Sequence, residues 1–411
     1  MRSSDKELGM GMPISRRDFI NGIGASVAGG LLPGTGLANG DAAGAAQDKR
    51  GYYPPTLTGL RGNHEGSFEV AHARARNHLS WPSPSVLEEY YDLVVVGAGI
   101  SGLSAAYRYA ELAGTDARIL VLDNHDDFGG HAKRNEFHYQ GQTRLAWGGA
   151  INLEYPHYSK QVSKFLAGLG VDIPRLAESF DFRFSAPGKT LDSMLYLDKA
   201  TFGEEARIRG FKMWAGDSRR SWLGVIDQLP MPAADRDSLR RFLTRKEDLL
   251  AGMDETRRLH YLRKTSYLDF ITTRGGVTRS AARVLQQVPH GLWGVGIDAL
   301  DVANCLETRL PGYHAIGALA AELTGESDEG FAMFPDGNAS IARMLVRSMV
   351  PAAAPGNSMQ DIVCANFDYA RLDQSGQPVR IRLNATAVQT RNVNLPGNRP
   401  GVAVDYVRGG K

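Results

Sequence analysis

Three glycines, at residues 97, 99 and 102, have the spacing of a loop that binds a diphosphate. Gly97 would form the tight turn, Gly99 would let the backbone approach the phosphates, and Gly102 would let the next helix pack closely. The N–H groups that open such a helix carry partial positive charge, which attracts phosphate. Asp123 follows about 20 residues later, where an acid accepts hydrogen bonds from a ribose. The other residues of the turn are Ala98, Ile100 and Ser101.

These residues require a strand on each side of a helix. Residues 92–96 form a short β-branched run before the turn, residues 103–110 have apolar side chains at helical spacing, and residues 117–122 read as a second strand that ends at Asp123. A glycine turn without a ligand is the alternative. The strand, helix, second strand and terminal acid together favour an α/β fold with a Rossmann-type nucleotide-binding domain.

Composition excludes several other classes of protein. The chain has 411 residues, 43% of them apolar, and a formal net charge of +2, so it has no general field to attract nucleic acid. The sequence contains no run of about 20 apolar residues that would predict a membrane span. Two cysteines, Cys305 and Cys364, are too few for a disulfide-rich scaffold. We expect a soluble protein with two substantial cores.

The first 45 residues are typical of an export signal. Arg16 and Arg17 form a twin-arginine pair that is followed by Phe19 and Ile20, by an apolar run with glycines, and by small residues up to position 45. This order resembles a Tat signal, which would make the Tat translocase a transient partner and the periplasm the destination. A basic, glycine-rich tail is the alternative. Tat passengers cross the membrane folded, so a tightly held cofactor could travel with the chain.

A second glycine pair, Gly129 and Gly130, follows Asp123 and Asn124 and precedes His131. In FAD enzymes of the glutathione reductase and amine oxidase lineage, an acid and a Gly-Gly loop line the pyrophosphate from the other side, and this segment resembles that loop. The resemblance implies FAD rather than NAD. A further pair, Gly148 and Gly149, resembles the segment that passes the flavin ring in that lineage; a simple turn is the alternative.

The remainder of the chain divides by pattern. We predict a signal peptide over 1–45, a wrapping segment over 46–90, an FAD-binding domain over 91–155 and 331–411, and a largely helical substrate domain over 156–330. Residues 334–338 would open a helix that returns to the nucleotide domain, and residues 381–388 would follow as a strand whose backbone near Val388 meets the adenine. Residues 402–407 would form the next strand and residues 408–411 a hairpin turn, whereas 290–298 is too rich in glycine for a helix.

Residues 52–69, the turn at 97–102, the Gly129–Gly130 loop and residues 290–297 together resemble the bacterial spermidine dehydrogenases. These are flavin-dependent periplasmic oxidoreductases also associated with haem. The resemblance implies that a polyamine loses hydride to the flavin, that the imine is hydrolysed, and that electrons pass to a further acceptor. Members of that family continue past residue 411, so we expect the rest of the substrate domain and a C-terminal flavin segment to be missing here.

Carboxylates and aromatic faces would hold the ammonium groups of such a substrate. The candidates are Trp147, Glu154, Trp293 and Asp298. A haem iron could bind a histidine of the wrapping segment, and because the chain has no CxxCH motif the haem would be non-covalent. The candidate ligands are His64, His72 and His78; the alternative, which is favoured for any single one of them, is that it caps a turn and bonds to backbone.

Two other functions fit the sequence. One is an FAD-dependent oxidoreductase with a different substrate, as in desaturase or porphyrinogen oxidase relatives that share the nucleotide turn. The other is an inactive fragment that binds nucleotide or a partner without turnover. Oxidation assays that compare spermidine with other compounds would distinguish an oxidoreductase with a different substrate from a polyamine oxidoreductase. A flavin spectrum of the purified protein would identify an inactive fragment.

Overall fold

The structure is a computed structural model that describes residues 46–57, 66–81, 83–114, 116–179, 194–211, 218–317 and 332–409. The predicted export signal and His64 therefore lie outside the described residues. Among the described helices, none is long and apolar enough to cross a membrane.

The strands and helices follow in chain order. The strands are β1 (Leu93–Val96), β2 (Ile119–Leu122), β3 (Arg134–Tyr139), β4 (Gln142–Trp147), β5 (Met194–Leu197), β6 (Ala206–Arg209), β7 (Val379–Arg382), β8 (Ala385–Leu395) and β9 (Arg399–Arg408). The α-helices are α1 (Glu69–Ala75), α2 (Ile100–Ala113), α3 (Lys160–Gly168), α4 (Ile173–Glu178), α5 (Lys199–Phe202), α6 (Ser218–Val225), α7 (Ala233–Thr244), α8 (Glu255–Lys264), α9 (Tyr267–Asp269), α10 (Arg279–Ala282), α11 (His290–Trp293), α12 (Val302–Glu307), α13 (Ala339–Met349) and α14 (Asp361–Cys364).

The predicted Rossmann-type unit is confirmed. Strands β1, β2 and β7 form a parallel sheet in that order, with Leu93 opposite Ile119 and Ile119 opposite Val379. Helix α2 connects β1 to β2, as parallel strands require a crossover. All four residues of β2 and of β7 are buried, which agrees with a sheet covered on both faces.

One hydrophobic core lies around this sheet. Leu103 of α2 and Val121 of β2 are fully buried in it, together with Leu345 of α13. The helix predicted to follow residues 334–338 is confirmed as α13, which contacts α2 and ends at Met349, two residues before Pro351. Helices α3 and α4 also pack into this core through Leu166 and Leu176. Each fully buried leucine contributes about 1.5–3 kcal/mol.

A second core is built mainly by helices, as predicted for the substrate domain. It contains Leu239 and Phe242 of α7, Trp222 of α6 and Tyr267 of α9. The Tyr267 hydroxyl donates to the Pro311 carbonyl at 2.5 Å, and burial raises the pKa of this phenol well above its ordinary value. The sequence did not predict the antiparallel hairpin of β5 and β6 in this part of the chain. The domain boundaries themselves stay a prediction.

The C-terminal strands differ from the prediction. Residues 381–388 are not one strand, because the chain turns at Asn384, whose φ is +53°, between β7 and β8. Strand β8 forms an antiparallel hairpin with β9, and the turn between them lies near Gly397. Strand β9 contains the predicted strand 402–407, which is confirmed, and the predicted turn at 408–411 extends beyond the described residues. Arg408 is the last residue of β9. An asparagine tolerates the left-handed conformation, so the strand can end sharply there even though the apolar pattern alone predicts that it continues.

Residues 290–298 also differ from the prediction. His290–Trp293 forms a single helical turn, α11, which Gly294 ends with a φ of +70°. Glycine is the usual residue at such an end because it has no Cβ to clash in the left-handed conformation. The glycines in this segment therefore stop a helix instead of preventing one.

A glutamine side chain occupies the outer edge of β7. Gln47 is fully buried, its Nε2 donates to the Ile381 carbonyl at 2.7 Å, and its Oε1 accepts from the Leu383 N–H at 2.9 Å. The amide thus makes the two hydrogen bonds that a neighbouring strand would make. This contact ties the start of the wrapping segment to the sheet.

We expect Gln47→Ala to lower the free energy of unfolding by about 2 kcal/mol, because it leaves a buried N–H and a buried carbonyl unpaired. Urea denaturation followed by circular dichroism measures this. Gln374→Ala is the matched control, since the Gln374 amide makes its hydrogen bonds in an exposed position. Equal stability of both variants would contradict the role assigned to Gln47.

Candidate dinucleotide-binding site

The predicted phosphate turn joins β1 directly to α2. Gly97 has a φ of +104°, and its N–H donates to the Leu122 carbonyl at 2.7 Å, which holds the turn against the end of β2. A Cβ at Gly102 would lie 1.9 Å from the Gly97 carbonyl oxygen, so only glycine permits this packing. No side chain caps the N-terminus of α2 at Gly99. The N–H groups of Ile100 and Ser101 therefore open the helix beside a glycine backbone, an arrangement that binds anions.

Asp123 lies at the end of β2 and is 6% exposed. Its Oδ2 accepts from the Ala98 N–H at 2.6 Å, and its Oδ1 accepts from the His125 N–H at 2.8 Å. These two bonds fix the carboxylate against the phosphate turn. An ionised carboxylate has about four acceptor positions, so each oxygen can accept a further hydrogen bond. That this donor is a ribose hydroxyl stays a prediction.

The second glycine loop touches the first. The Gly129 N–H donates to the Ala98 carbonyl at 2.8 Å, and Gly99 and Gly129 form a parallel β-bridge. A Cβ at Gly130 would lie 3.0 Å from the Cα of Gly99. Two backbone loops without side chains therefore meet in front of an uncapped helix. This cradle fits the diphosphate of a dinucleotide, which needs close approach to backbone N–H groups.

The neighbouring cofactor candidates have structural contacts of their own. The Asn124 side-chain amide donates to the Ser67 carbonyl at 2.5 Å, which joins the wrapping segment to the loop after β2. The exposed His131 ring lies over Gly149, where a Cβ would be 3.1 Å from it. Val388 falls at the register shift between Ala387 and Gln389 in the hairpin of β8 and β9.

The third glycine pair packs against the second loop. A Cβ at Gly149 would lie 2.1 Å from the His131 carbonyl oxygen, and one at Gly148 would lie 3.0 Å from that of Lys133. The Gly148 N–H also donates to the Lys133 carbonyl at 2.8 Å. The contact between the two segments therefore excludes a Cβ at Gly149 and leaves little room for one at Gly148. Proximity to a flavin ring stays a prediction.

The turn before α13 continues the same line of contacts. Gly337 has a φ of +64°, and a Cβ on it would lie 2.7 Å from the Ala150 carbonyl oxygen. The Asn338 N–H donates to that oxygen at 3.0 Å. We call the close contacts of Gly99 with Gly130, of Gly148 and Gly149 with residues 131–133, and of Gly337 with Ala150 the glycine seam. It extends from the phosphate turn to the start of α13.

A buried charge cluster holds the seam in place. The Arg134 guanidinium is 3% exposed and donates to Asp336 Oδ2 at 3.0 Å, to the Val363 carbonyl at 2.5 Å, and to Glu136 Oε1. Burial alone would lower the pKa of Arg134, but the carboxylates of Asp336 and Glu136 hold it above its ordinary value. Asp336 is fully buried and accepts from Ser340 Oγ at 2.6 Å.

The wrapping segment joins this cluster through Tyr53. Its hydroxyl donates to Glu136 Oε1 at 2.6 Å, and burial raises its pKa. The ring also packs edge-on against Tyr369, whose own hydroxyl donates to Asp127 Oδ1 at 2.5 Å. Burial, then the Asp127 carboxylate, raises the pKa of Tyr369 well above its ordinary value. Sequence reasoning missed these residues, because no local pattern relates Arg134 to Asp336 or Tyr369 to Asp127.

The four catalytic candidates lie in two parts of the fold. Trp147, 39% exposed, ends β4 at the glycine seam, and the exposed Glu154 follows on the same segment. Trp293, 44% exposed, is the last residue of α11. The exposed Asp298 follows five residues later and accepts from Gln286 Nε2 at 2.6 Å. All four have side chains that solvent can reach. Their role with a substrate stays a prediction.

The histidine candidates do not form a cluster in the described part of the chain. His72 lies on α1, with its ring 5.1 Å from that of Phe68, and His78 has a φ of +53° just after that helix. The described residues contain no group of three or more His, Cys, Asp or Glu side chains able to share a metal ion. A haem iron needs fewer protein ligands than that, so a haem stays a prediction.

Comparison with known proteins supports the nucleotide-binding domain. A family model described as an NAD(P)-binding Rossmann-like domain matches residues 95–169, which include the phosphate turn, Asp123 and the Gly129, Gly130, Gly148 and Gly149 contacts. The domain is of the Rossmann-like dinucleotide-binding type. A comparison with curated proteins gave no match.

Solved structures similar to the chain are remote. A putrescine oxidase bound to putrescine has 16% identity and a TM-score of 0.34, over 77% of this chain and 55% of its own. A fatty acid isomerase from P. acnes that produces CLA has 16% identity and a TM-score of 0.33, over 78% and 56%. RAB GDI from Plasmodium falciparum has 12% identity and a TM-score of 0.33, over 77% and 62%. The chain therefore spans little more than half the length of the first two.

We expect Gly102→Ala to abolish dinucleotide binding, because the new methyl group must displace either the Gly97 carbonyl or the N-terminus of α2. Fluorescence titration with FAD measures the loss, and thermal unfolding reports the strain. Gly224→Ala on α6 is the control, since a Cβ there meets no atom within 4 Å and alanine favours a helix. Unchanged binding in the Gly102 variant would show that the turn does not hold the phosphates.

We expect Asp336→Asn to lower the free energy of unfolding by about 3–5 kcal/mol, because it breaks a buried ion pair and leaves the Arg134 charge partly uncompensated. Asp227→Asn is the matched control. Its partner is Arg240 in an exposed ion pair, so about 0.5 kcal/mol or less should be lost. Chemical denaturation compares the two variants, and similar losses in both would contradict the assigned role of the cluster.

Proposed function

We propose that this protein is an FAD-dependent oxidoreductase that oxidises a polyamine, with spermidine as its substrate. The observation that carries the cofactor assignment is the contact between the Gly99 turn and the Gly129–Gly130 loop. A single glycine turn suffices for one phosphate-binding edge, whereas two facing backbone loops suit a diphosphate enclosed from both sides. FAD, held in this way, can remain bound while the chain is exported folded.

The residues of the cradle have separate tasks in this proposal. The N–H groups that open α2 bind the diphosphate, and the side-chain-free backbone of Gly99 and Gly130 lets the phosphates approach. Asp123, already oriented by the Ala98 N–H, accepts from the ribose. The glycine seam leads from the proposed diphosphate position toward Trp147, and this supports a position of the cofactor ring near that end.

The substrate would be held by charge and aromatic contact. Glu154 offers a carboxylate to a distal ammonium group, and the exposed faces of Trp147 and Trp293 attract a cation through their π systems. Asp298 gives a second carboxylate on the side of the helical core. When bound, the flavin would accept hydride from the carbon next to a neutral amine nitrogen, and water would hydrolyse the imine to an aldehyde and a shorter amine.

The remaining assignments follow from the sequence. The twin-arginine pattern at residues 15–20 supports export by the Tat translocase to the periplasm. The resemblance to spermidine dehydrogenases supports an electron acceptor beyond the flavin and a non-covalent haem near His64, His72 or His78. These parts of the proposal are independent of the cradle, so each can fail without the cofactor assignment failing.

Purified full chain should bind FAD, and addition of spermidine without oxygen should bleach the visible flavin absorbance. We expect Asp123→Ala to weaken FAD binding by about tenfold or more, because it removes both the ribose acceptor and the brace on the Ala98 N–H. Titrations with NAD and NADP provide the comparison of cofactors.

Three results would overturn parts of the proposal. Binding of NAD or NADP in preference to FAD would overturn the cofactor assignment. If spermidine leaves the bound flavin oxidised while another amine or an apolar compound reduces it, that compound would take the place of spermidine as the proposed substrate. Binding of neither dinucleotide would overturn the enzyme assignment and favour an inactive fragment.

A further inference from the structure

Two amide oxygens at the far end of the glycine seam have no hydrogen-bond donor among the described residues. They are Oδ1 of Asn152 and Oδ1 of Asn338, and both atoms are buried. Buried polar atoms in folded proteins are nearly always paired, because the loss of water is otherwise uncompensated. Two such atoms on adjoining segments therefore need a physical explanation.

The orientation of the Asn338 amide is fixed by its other end. Its Nδ2 donates to the Asn152 backbone carbonyl at 3.2 Å, so the opposite atom is the acceptor. Asn338 is also the residue before α13, where an asparagine normally turns its oxygen toward the first N–H groups of the helix. Here it makes no such bond. The side chain instead bonds to the neighbouring segment, and its buried oxygen has no partner among the described residues.

The position of the pair relates it to the cofactor cradle. Asn338 follows Gly337, which packs on Ala150, and Asn152 is two residues beyond Ala150. Ala150 in turn donates its N–H to the His131 carbonyl at 3.2 Å, and His131 follows Gly130, which touches Gly99. A continuous set of backbone contacts thus leads from the phosphate turn to the two amide oxygens.

We propose that Asn152 and Asn338 accept hydrogen bonds from an N–H group of the bound ligand and so orient it at this end of the site. The inference rests on the proposed function, and it adds two residues that neither spacing nor charge indicated. The N–H group belongs either to the amine of the substrate or to the imide edge of the flavin ring. In both cases the ligand would supply the donor that the two oxygens lack among the described residues.

The test compares Asn152→Ala and Asn338→Ala in the full chain with Asn304→Ala. Asn304 is a partly buried asparagine on α12 whose amide pairs with Asp301, away from the seam. One measurement is the Kd for FAD by fluorescence titration. The other is the dependence of the anaerobic flavin reduction rate on spermidine concentration, which gives an apparent Kd for the amine. Thermal unfolding reports whether each variant folds.

We expect each seam variant to raise one of the two Kd values about tenfold, the effect of one lost hydrogen bond to a ligand, while Asn304→Ala changes neither. If only the Kd for spermidine changes, the donor is the amine of the substrate. If only the Kd for FAD changes, the donor is the imide of the flavin ring. Asn338→Asp removes the Nδ2 donor to the Asn152 carbonyl and adds a negative charge, so it should also change the Kd of the ligand that the alanine variants identify.

Unchanged Kd values for both ligands in both seam variants would overturn the inference while leaving the proposed function intact. Failure of the unaltered chain to bind FAD would overturn the proposed function first, and the inference with it. If the alanine variants do not fold, Asn338→Asp decides alone. Its added negative charge should lower the Kd for a protonated amine or alter that for FAD, and no change in either would overturn the inference.

Discussion

The site depends on the burial of one charge, the guanidinium of Arg134. A buried cation is tolerated only when carboxylates and carbonyls surround it. Asp336, Glu136 and the Val363 carbonyl provide that surrounding, and they come from segments far apart in the chain. Their convergence fixes the turn before α13 against the end of β4. The electrostatic pairing thus contributes to the close contact of Gly337, which follows Asp336, with Ala150.

Glycine acts in two distinct ways along the seam. At residues 99 and 130 it lets one backbone loop approach another beside an uncapped helix N-terminus, and at residue 97 it permits the positive φ of the turn. At residues 148, 149 and 337 it permits contact between segments of the protein itself, since a Cβ would overlap a carbonyl oxygen. The second use needs no ligand. Only the first carries the argument for a dinucleotide.

The wrapping segment is part of the architecture of the nucleotide-binding domain. Gln47 completes the hydrogen bonding of the β7 edge, and Tyr53 inserts its hydroxyl into the Arg134 cluster. Both contacts lie far in sequence from their partners, and the Gln47 amide pairs two backbone groups at the β7 edge. The order of the site therefore extends beyond the strands and helix that define its motif.

The sequence by itself determined the local unit: β1, the glycine turn, α2, β2 and the acid at its end. Each of these follows from spacing and side-chain type within about 30 residues, where periodicity and turn chemistry are informative. It also predicted α13 and the helical nature of the second core. It failed where a strand ended at Asn384, since a single left-handed residue overrides an apolar run. The tertiary structure alone decided the Arg134 cluster, the Gln47 edge and the pairing of Asn152 with Asn338. Those contacts join segments that are distant in sequence. They are needed because the polar groups involved are buried, and no local sequence pattern encodes that burial.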